Sequence, residues 1–150
     1  MITRLFYRLT WLGLLALILI SAVLALAATN TVPESGADDT NRPITADDLK
    51  PPECAGLTLT SVIAGSGNIN GGAGNSLILG SSGVDTIKGQ NGTDCILGGG
   101  GNDDLHGQGG KDVLLGGPGN DILNGGAGTD ACYGGPGTDT FDTSCETQVQ

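Results

Sequence analysis

Between residues 71 and 142 an apolar residue returns every nine positions: Ile78, Ile87, Ile96, Leu105, Leu114, Leu123, Cys132 and Phe141. That spacing is neither the period of a helix nor the simple alternation of a long strand. Each apolar position sits in a run of three residues, preceded by six rich in glycine, as in GQNGTDCIL and GGPGNDILN. Positions 7 to 9 of each unit predict a very short strand in which only the eighth side chain turns inward. Positions 1 to 6 predict a turn. Two units complete a coil of 18 residues, and stacked coils make two parallel sheets with one apolar row between them. The expected fold class is all-β, a two-sheet parallel β-solenoid.

Eight units fill residues 71–142 without an insertion. Glycine stands at position 1 in all of them (Gly71, Gly80, Gly89, Gly98, Gly107, Gly116, Gly125, Gly134), and again at position 4. With 28 glycines and 3% aromatic residues, composition alone points away from a packed core and towards disorder or a repeat; the strict register decides for the repeat. Glycine at fixed places predicts turn backbone with positive φ. A single inward row is a thin core for so many glycine-rich residues, whose ordering is entropically costly. Something besides apolar burial must hold the coils together.

Position 6 supplies it. Aspartate stands there in seven units: Asp85, Asp94, Asp103, Asp112, Asp121, Asp130 and Asp139, with Ser76 in the first. Residues 18 apart fall on neighbouring coils, roughly 4.8 Å apart. One edge then stacks Asp85–Asp103, Asp103–Asp121 and Asp121–Asp139; the other stacks Asp94–Asp112 and Asp112–Asp130. Ser76–Asp94 is a sixth interval lacking one carboxylate. Paired carboxylates ringed by turn carbonyls, those of Gly80, Gly89, Gly98, Gly107, Gly116, Gly125 and Gly134, make an all-oxygen cage suited to a hard cation. Calcium tolerates its flexible geometry better than magnesium, and the absence of sulfur or imidazole disfavours zinc and copper. About five calcium ions are expected, one per complete interval.

Charge agrees. Without residues 1–27 the chain holds 16 acids against four bases (Arg42, Lys50, Lys88, Lys111), and five dications nearly neutralise it. Nucleic acid and anionic membranes are poor partners for such a chain. Arg4 and Arg8 precede the apolar stretch Leu9–Ala28, and Ala25-Leu26-Ala27 forms a small-x-small site. Residues 1–27 read as a secretory signal peptide, or as an uncleaved signal anchor, and either places the rest outside the cytoplasm. Residues 28–52, polar and rich in acids and proline, read as a disordered linker in which Asp47 and Asp48 are solvated charge. Four cysteines in an exported chain predict two disulfides. Of three pairings, Cys54–Cys95 with Cys132–Cys145 closes the shortest loops taken together, and each bond touches one end of the repeat.

The units match G-G-x-G-x-D-x-U-x, and residues 71–142 resemble the RTX, or haemolysin-type, calcium-binding nonapeptide-repeat family. The resemblance implies a parallel β-roll with calcium between successive turns, held by the position-6 aspartates and turn carbonyls, and calcium-dependent folding outside a bacterial cell. Departures are Ser81, Gln90 and Gln108 at position 2, Ser76 at position 6, and the cysteines. Residues 53–70 look like decayed repeats, an N-terminal cap in which Leu57, Leu59, Val62 and Ile63 cover the end of the core. Residues 143–150 form the C-terminal cap.

Catalysis is not expected. His106 falls at an outward strand position with no nucleophile spaced to it, and the carboxylate spacing suits metal cages rather than acid–base work. No small-molecule substrate is evident, and position 3 carries no regular row of threonine for ordering ice. The reading is a secreted, monomeric, non-catalytic calcium-binding β-roll. The alternative is a calcium-stabilised surface adhesion or interaction module with a protein partner.

Overall fold

The structure, a computed structural model, describes residues 43–150. The signal segment at residues 1–27 and the linker before residue 43 lie outside the described residues. Among the described residues no helix is long and apolar enough to cross a membrane.

A single-turn helix, α1 (Ala46–Leu49), and a 3-10 turn at Pro52–Cys54 precede the strands. The chain then winds through β1 (Ser61–Ala64), β2 (Asn68–Asn70), β3 (Ser76–Leu79), β4 (Thr86–Asn91), β5 (Cys95–Leu97) and β6 (Asp104–Gly110). It continues as β7 (Val113–Leu115), β8 (Ile122–Gly128), β9 (Asp130–Tyr133), β10 (Thr140–Phe141) and β11 (Cys145–Val149). Odd strands form one sheet and even strands the other, each in sequence order. All pairings are parallel, and the register through the repeats is 18 residues, as in Ile78↔Ile96↔Leu114 and Ile87↔Leu105↔Leu123. This is a β-roll. The position-8 side chains from Ile78 to Cys132 are fully buried between the sheets, with Ile69 continuing the row below and Phe141 packed on its upper end.

The sheets are unequal for a reason written in alternate units. On the second sheet positions 7 and 9 are mostly polar (Thr86, Lys88, Asp104, His106, Asn124), and its outer face meets water. On the first sheet they are Leu77, Leu79, Cys95, Leu97, Val113, Leu115, Ala131 and Tyr133, an apolar outer face. Ala46, Cys54, Leu57 and Leu59 pack onto it, burying Leu77, Cys95 and Val113. The expectation that Leu57, Leu59 and Val62 seal the end of the core is therefore corrected. Leu57 and Leu59 cover a sheet face, Val62 is 44% exposed, and Ile63 alone of the four packs against the inner row. A three-residue strand that is apolar throughout has two faces to bury, and only one can point into the roll.

The linker reading of residues 28–52 is likewise corrected over its last part. Thr45 and Asp48 form a capping box that starts α1. The Asp47 carboxylate accepts from the Leu59 N–H at 2.7 Å and from Lys50, whose ammonium also donates to the Leu57 carbonyl. Asp47 thus holds α1 to the covering segment instead of standing free in solvent. A disulfide joins Cys54 to Cys95, fastening that segment to the outer face of β5, and a second joins Cys132 to Cys145.

From the third unit onward, position 2 of the turns takes left-handed backbone: φ is 105° at Gly99, 100° at Gly117 and 98° at Gly126. Gln90 (81°) and Gln108 (76°) hold the same conformation with a side chain attached, at a cost of about 1–2 kcal/mol each. Gln108 is exposed, so Gln108→Gly removes no packing. Its urea midpoint in calcium should rise, by about 1 kcal/mol after glycine's greater unfolded-state freedom is subtracted. A fall would mean that the glutamine side chain contributes more than its backbone strain removes.

Candidate metal centre

Turns 80–85, 98–103, 116–121 and 134–139 lead from the first sheet to the second, and turns 89–94, 107–112 and 125–130 lead back. Because each turn ends at position 6, where the next strand begins, every aspartate is locked to a strand register. The 18-residue pairing then stacks Asp85, Asp103, Asp121 and Asp139 along one edge, and Asp94, Asp112 and Asp130 along the other. Six of the seven are no more than 1% exposed; Asp139, on the last coil, is half-buried.

Each carboxylate splits its two oxygens between two coils. Oδ1 reaches back and accepts the backbone N–H of the residue 18 earlier. Asp103 takes that of Asp85 at 2.9 Å; Asp112 that of Asp94, Asp121 that of Asp103, Asp130 that of Asp112 and Asp139 that of Asp121, all at 2.8 Å. Asp94 accepts from Ser76 in the same way, and Asp85 from Gly67. Ser76 thus keeps the ladder's backbone step without a carboxylate. Its hydroxyl turns to the Gly74 carbonyl and the Ser61 hydroxyl.

Oδ2 reaches forward. A methyl group placed on Gly89 would stand 2.7 Å from Asp94 Oδ2 and equally close to the Gly107 carbonyl oxygen of the next coil. On Gly98 it would stand 2.5 Å from Asp103 Oδ2 and 2.7 Å from the Gly116 carbonyl oxygen. Two acceptor oxygens therefore bracket one small space at each position 1 from Gly80 to Gly125. This corrects the expectation that every turn glycine supplies positive φ. The position-1 glycines from Gly71 to Gly134 have ordinary φ, and those from Gly80 to Gly125 are glycine because that space must stay open. Positive φ belongs to position 2 from Gln90 onward, and to position 4 from Gly92 onward.

Five of these forward oxygens, Oδ2 of Asp94, Asp103, Asp112, Asp121 and Asp130, are buried with no hydrogen-bond donor. Buried carboxylate oxygens are ordinarily paired, because an unmatched one costs its full desolvation. A row of orphans, each facing a carbonyl oxygen, fits a hard cation and nothing that only accepts hydrogen bonds. Among the described residues no three or more His, Cys, Asp or Glu side chains converge on one point, so each interval relies on two carboxylates and backbone oxygens. Asp85 differs. Its Oδ2 already accepts from the Ser81 N–H at 2.7 Å and hydroxyl at 2.9 Å.

Burial shows in the proton affinities. Removal from water pushes the Asp94 carboxyl up to about 6, against the Ser76 N–H, which lowers it. Asp112 is pushed to about 7, by burial first and then by the Asp94 and Asp130 charges on either side. Asp103, Asp121 and Asp130 are raised for the same leading reason. Burial also acts upward on Asp85, but donors from Ser81 and Gly67 together outweigh it and leave Asp85 below the usual value.

Two features were not anticipated from the sequence. Asn75, Asn102 and Asn120 at position 5 accept the N–H groups of Thr93, Asn120 and Thr138 at 2.9 Å, a second ladder outside the first. Glu146 accepts the Asp130 N–H at 2.7 Å, the bond that a position-6 aspartate makes elsewhere. His106 Nε2 lies 3.0 Å from Asp104 Oδ1 on the outer face of β6, away from the ladder.

The sequence model of the RTX calcium-binding nonapeptide repeat (four copies) matches residues 63–96, 70–105 and 106–141, more than half of the chain. No curated protein and no solved structure matches it.

Proposed function

Because the chain belongs to the RTX calcium-binding nonapeptide-repeat family, its β-roll binds calcium, and we propose that it is a non-catalytic, exported module whose folding is driven by that binding. The observation that carries this reading is the row of buried, donorless Oδ2 atoms. A bound calcium ion supplies two positive charges where carboxylate and carbonyl oxygens otherwise face one another. The aspartates and the position-1 glycine carbonyls act as ligands, the strand register sets their spacing, and the glycines keep the space open. Asp85–Asp103, Asp103–Asp121, Asp121–Asp139, Asp94–Asp112 and Asp112–Asp130 hold about five ions. Asp85–Asp103 is the weakest of them, since Ser81 already satisfies its forward oxygen. The two disulfides and the signal-like segment at residues 1–27 support a place outside the cytoplasm.

Circular dichroism at two pH values tests it. In the calcium-free fold Asp94 and Asp112 hold protons up to about pH 6 and about pH 7, whereas in the unfolded chain they release them near the ordinary aspartate value of 3.8. Between those limits the fold binds more protons, so its stability falls as pH rises through the window. Calcium-free protein should show more β-signal at pH 5 than at pH 8, and millimolar calcium should restore more of it at pH 8. Full β-signal at pH 8 in excess chelator, unchanged by calcium, would defeat the proposal.

A further inference from the structure

On the proposed reading of the ladder, we infer that the C-terminal segment builds one more calcium site, outside the repeats, from Asp130, Glu146 and the Ser144 carbonyl. The repeats end at Asp142, and the residue 18 after Asp130 is Gln148, whose amide donates to the Asp142 and Cys145 carbonyls. By register alone the edge carrying Asp94, Asp112 and Asp130 has no further carboxylate.

The chain supplies one by a detour. Strand β11 pairs with β9 through Cys145↔Asp130 and Thr147↔Ala131, which leaves Glu146 as the extra residue of a bulge. From there its longer side chain reaches the Asp130 N–H. The carbonyl is replaced as well. A methyl on Gly125 would stand 2.6 Å from Asp130 Oδ2 and 2.8 Å from the Ser144 carbonyl oxygen, matching the bracket of Asp94 Oδ2 and Gly107 at Gly89. Asp130 is 1% exposed, and its forward oxygen has no donor. Within the repeats each such orphan faces a following carboxylate step; this one faces Glu146. Ser144 and Glu146 flank Cys145, which the disulfide to Cys132 ties to the inner row. The site therefore closes the end of the roll and couples the last disulfide to calcium.

Native mass spectrometry of the disulfide-intact chain in saturating calcium counts the ions. Glu146→Gln should bind one fewer than wild type. Asp130→Asn should bind two fewer, because Asp130 then serves the intervals on both sides, whereas Asp139→Asn, serving one, should lose one. The rate at which a thiol reductant opens Cys132–Cys145 gives a second readout. At calcium ten times the site's dissociation constant it should slow about tenfold in wild type, and not in Glu146→Gln. If wild type binds calcium but Glu146→Gln keeps the same count, or Asp130→Asn and Asp139→Asn each lose one, this site is refuted and the repeat sites stand. A wild type that binds no calcium overturns the repeat reading itself.

Discussion

Asp112→Asn is expected to move the stability of the calcium-free and calcium-loaded protein in opposite directions. Without calcium, Asp112 is a fully buried carboxylate between the charges of Asp94 and Asp130. The amide oxygen of asparagine can still accept the Asp94 N–H, a bond of 2.8 Å in the aspartate form. Its NH2 then replaces the donorless Oδ2 beside the Gly125 carbonyl. The buried charge disappears and an orphan becomes a donor, a gain of about 2 kcal/mol above pH 7. With calcium, the same residue serves two intervals. At 100 times the dissociation constant each occupied site contributes about 2.7 kcal/mol, so weakening both costs about 5 kcal/mol. Urea midpoints in chelator and in calcium should therefore shift up and down respectively. Asp85→Asn, in one interval and already supplied with donors by Ser81, should show a smaller loss in calcium and no gain without it. A decrease for Asp112→Asn under both conditions would mean that Asp112 is structural and not a ligand.

Gly98→Ala should be strongly damaging although its backbone angle suits alanine. Gly98 has ordinary φ, where alanine normally stabilises by restricting the unfolded chain. Here the methyl would enter the space bounded by Asp103 Oδ2 at 2.5 Å and the Gly116 carbonyl oxygen at 2.7 Å. Neither can retreat. The carbonyl belongs to the next coil, and the Gly98 N–H is bonded to the Leu115 carbonyl at 2.8 Å. A loss of about 3 kcal/mol or more is expected, with calcium affinity falling at the Asp103–Asp121 interval. Gly100→Ala in the same turn is the control. A methyl there meets nothing nearer than 3.8 Å, and its effect should stay within about 0.5 kcal/mol. Equal effects at the two positions would remove the argument that position 1 is glycine for space.

Residues 71–142 were legible because their signals are periodic. A nine-residue return of Ile, Leu, Cys or Phe at position 8 specifies an inward row, and aspartate at position 6 specifies a stack once 18 residues make a coil. The structure places both as the spacing requires. The outer face of the first sheet was legible in principle, since Leu77, Leu79, Leu97, Val113 and Leu115 are apolar where Lys88, Asp104 and Asn124 are not. That contrast emerges only when alternate units are compared, and reading all eight as equivalent hides it. Asp47 carried no signal at all, because its partner is the Leu59 N–H, 12 residues on in an irregular segment. Glu146 was hidden by a bulge, which breaks the register that made its predecessors visible.

What the sequence determined by itself is the repeat: its coil length, its inward row, its carboxylate edges and its preference for a hard cation. Those follow from local geometry, since each nonapeptide makes the same turn and strand and neighbours must then stack. What only the tertiary structure decided is how the repeat ends and what covers it. The segment from Ala46 to Leu59 lies on one sheet face, Ser144 and Glu146 take over from a glycine and an aspartate, and Ser81 satisfies the first carboxylate. Those contacts join residues with no common period, so they exist only once the coils have stacked and left specific apolar faces and oxygens in need of partners.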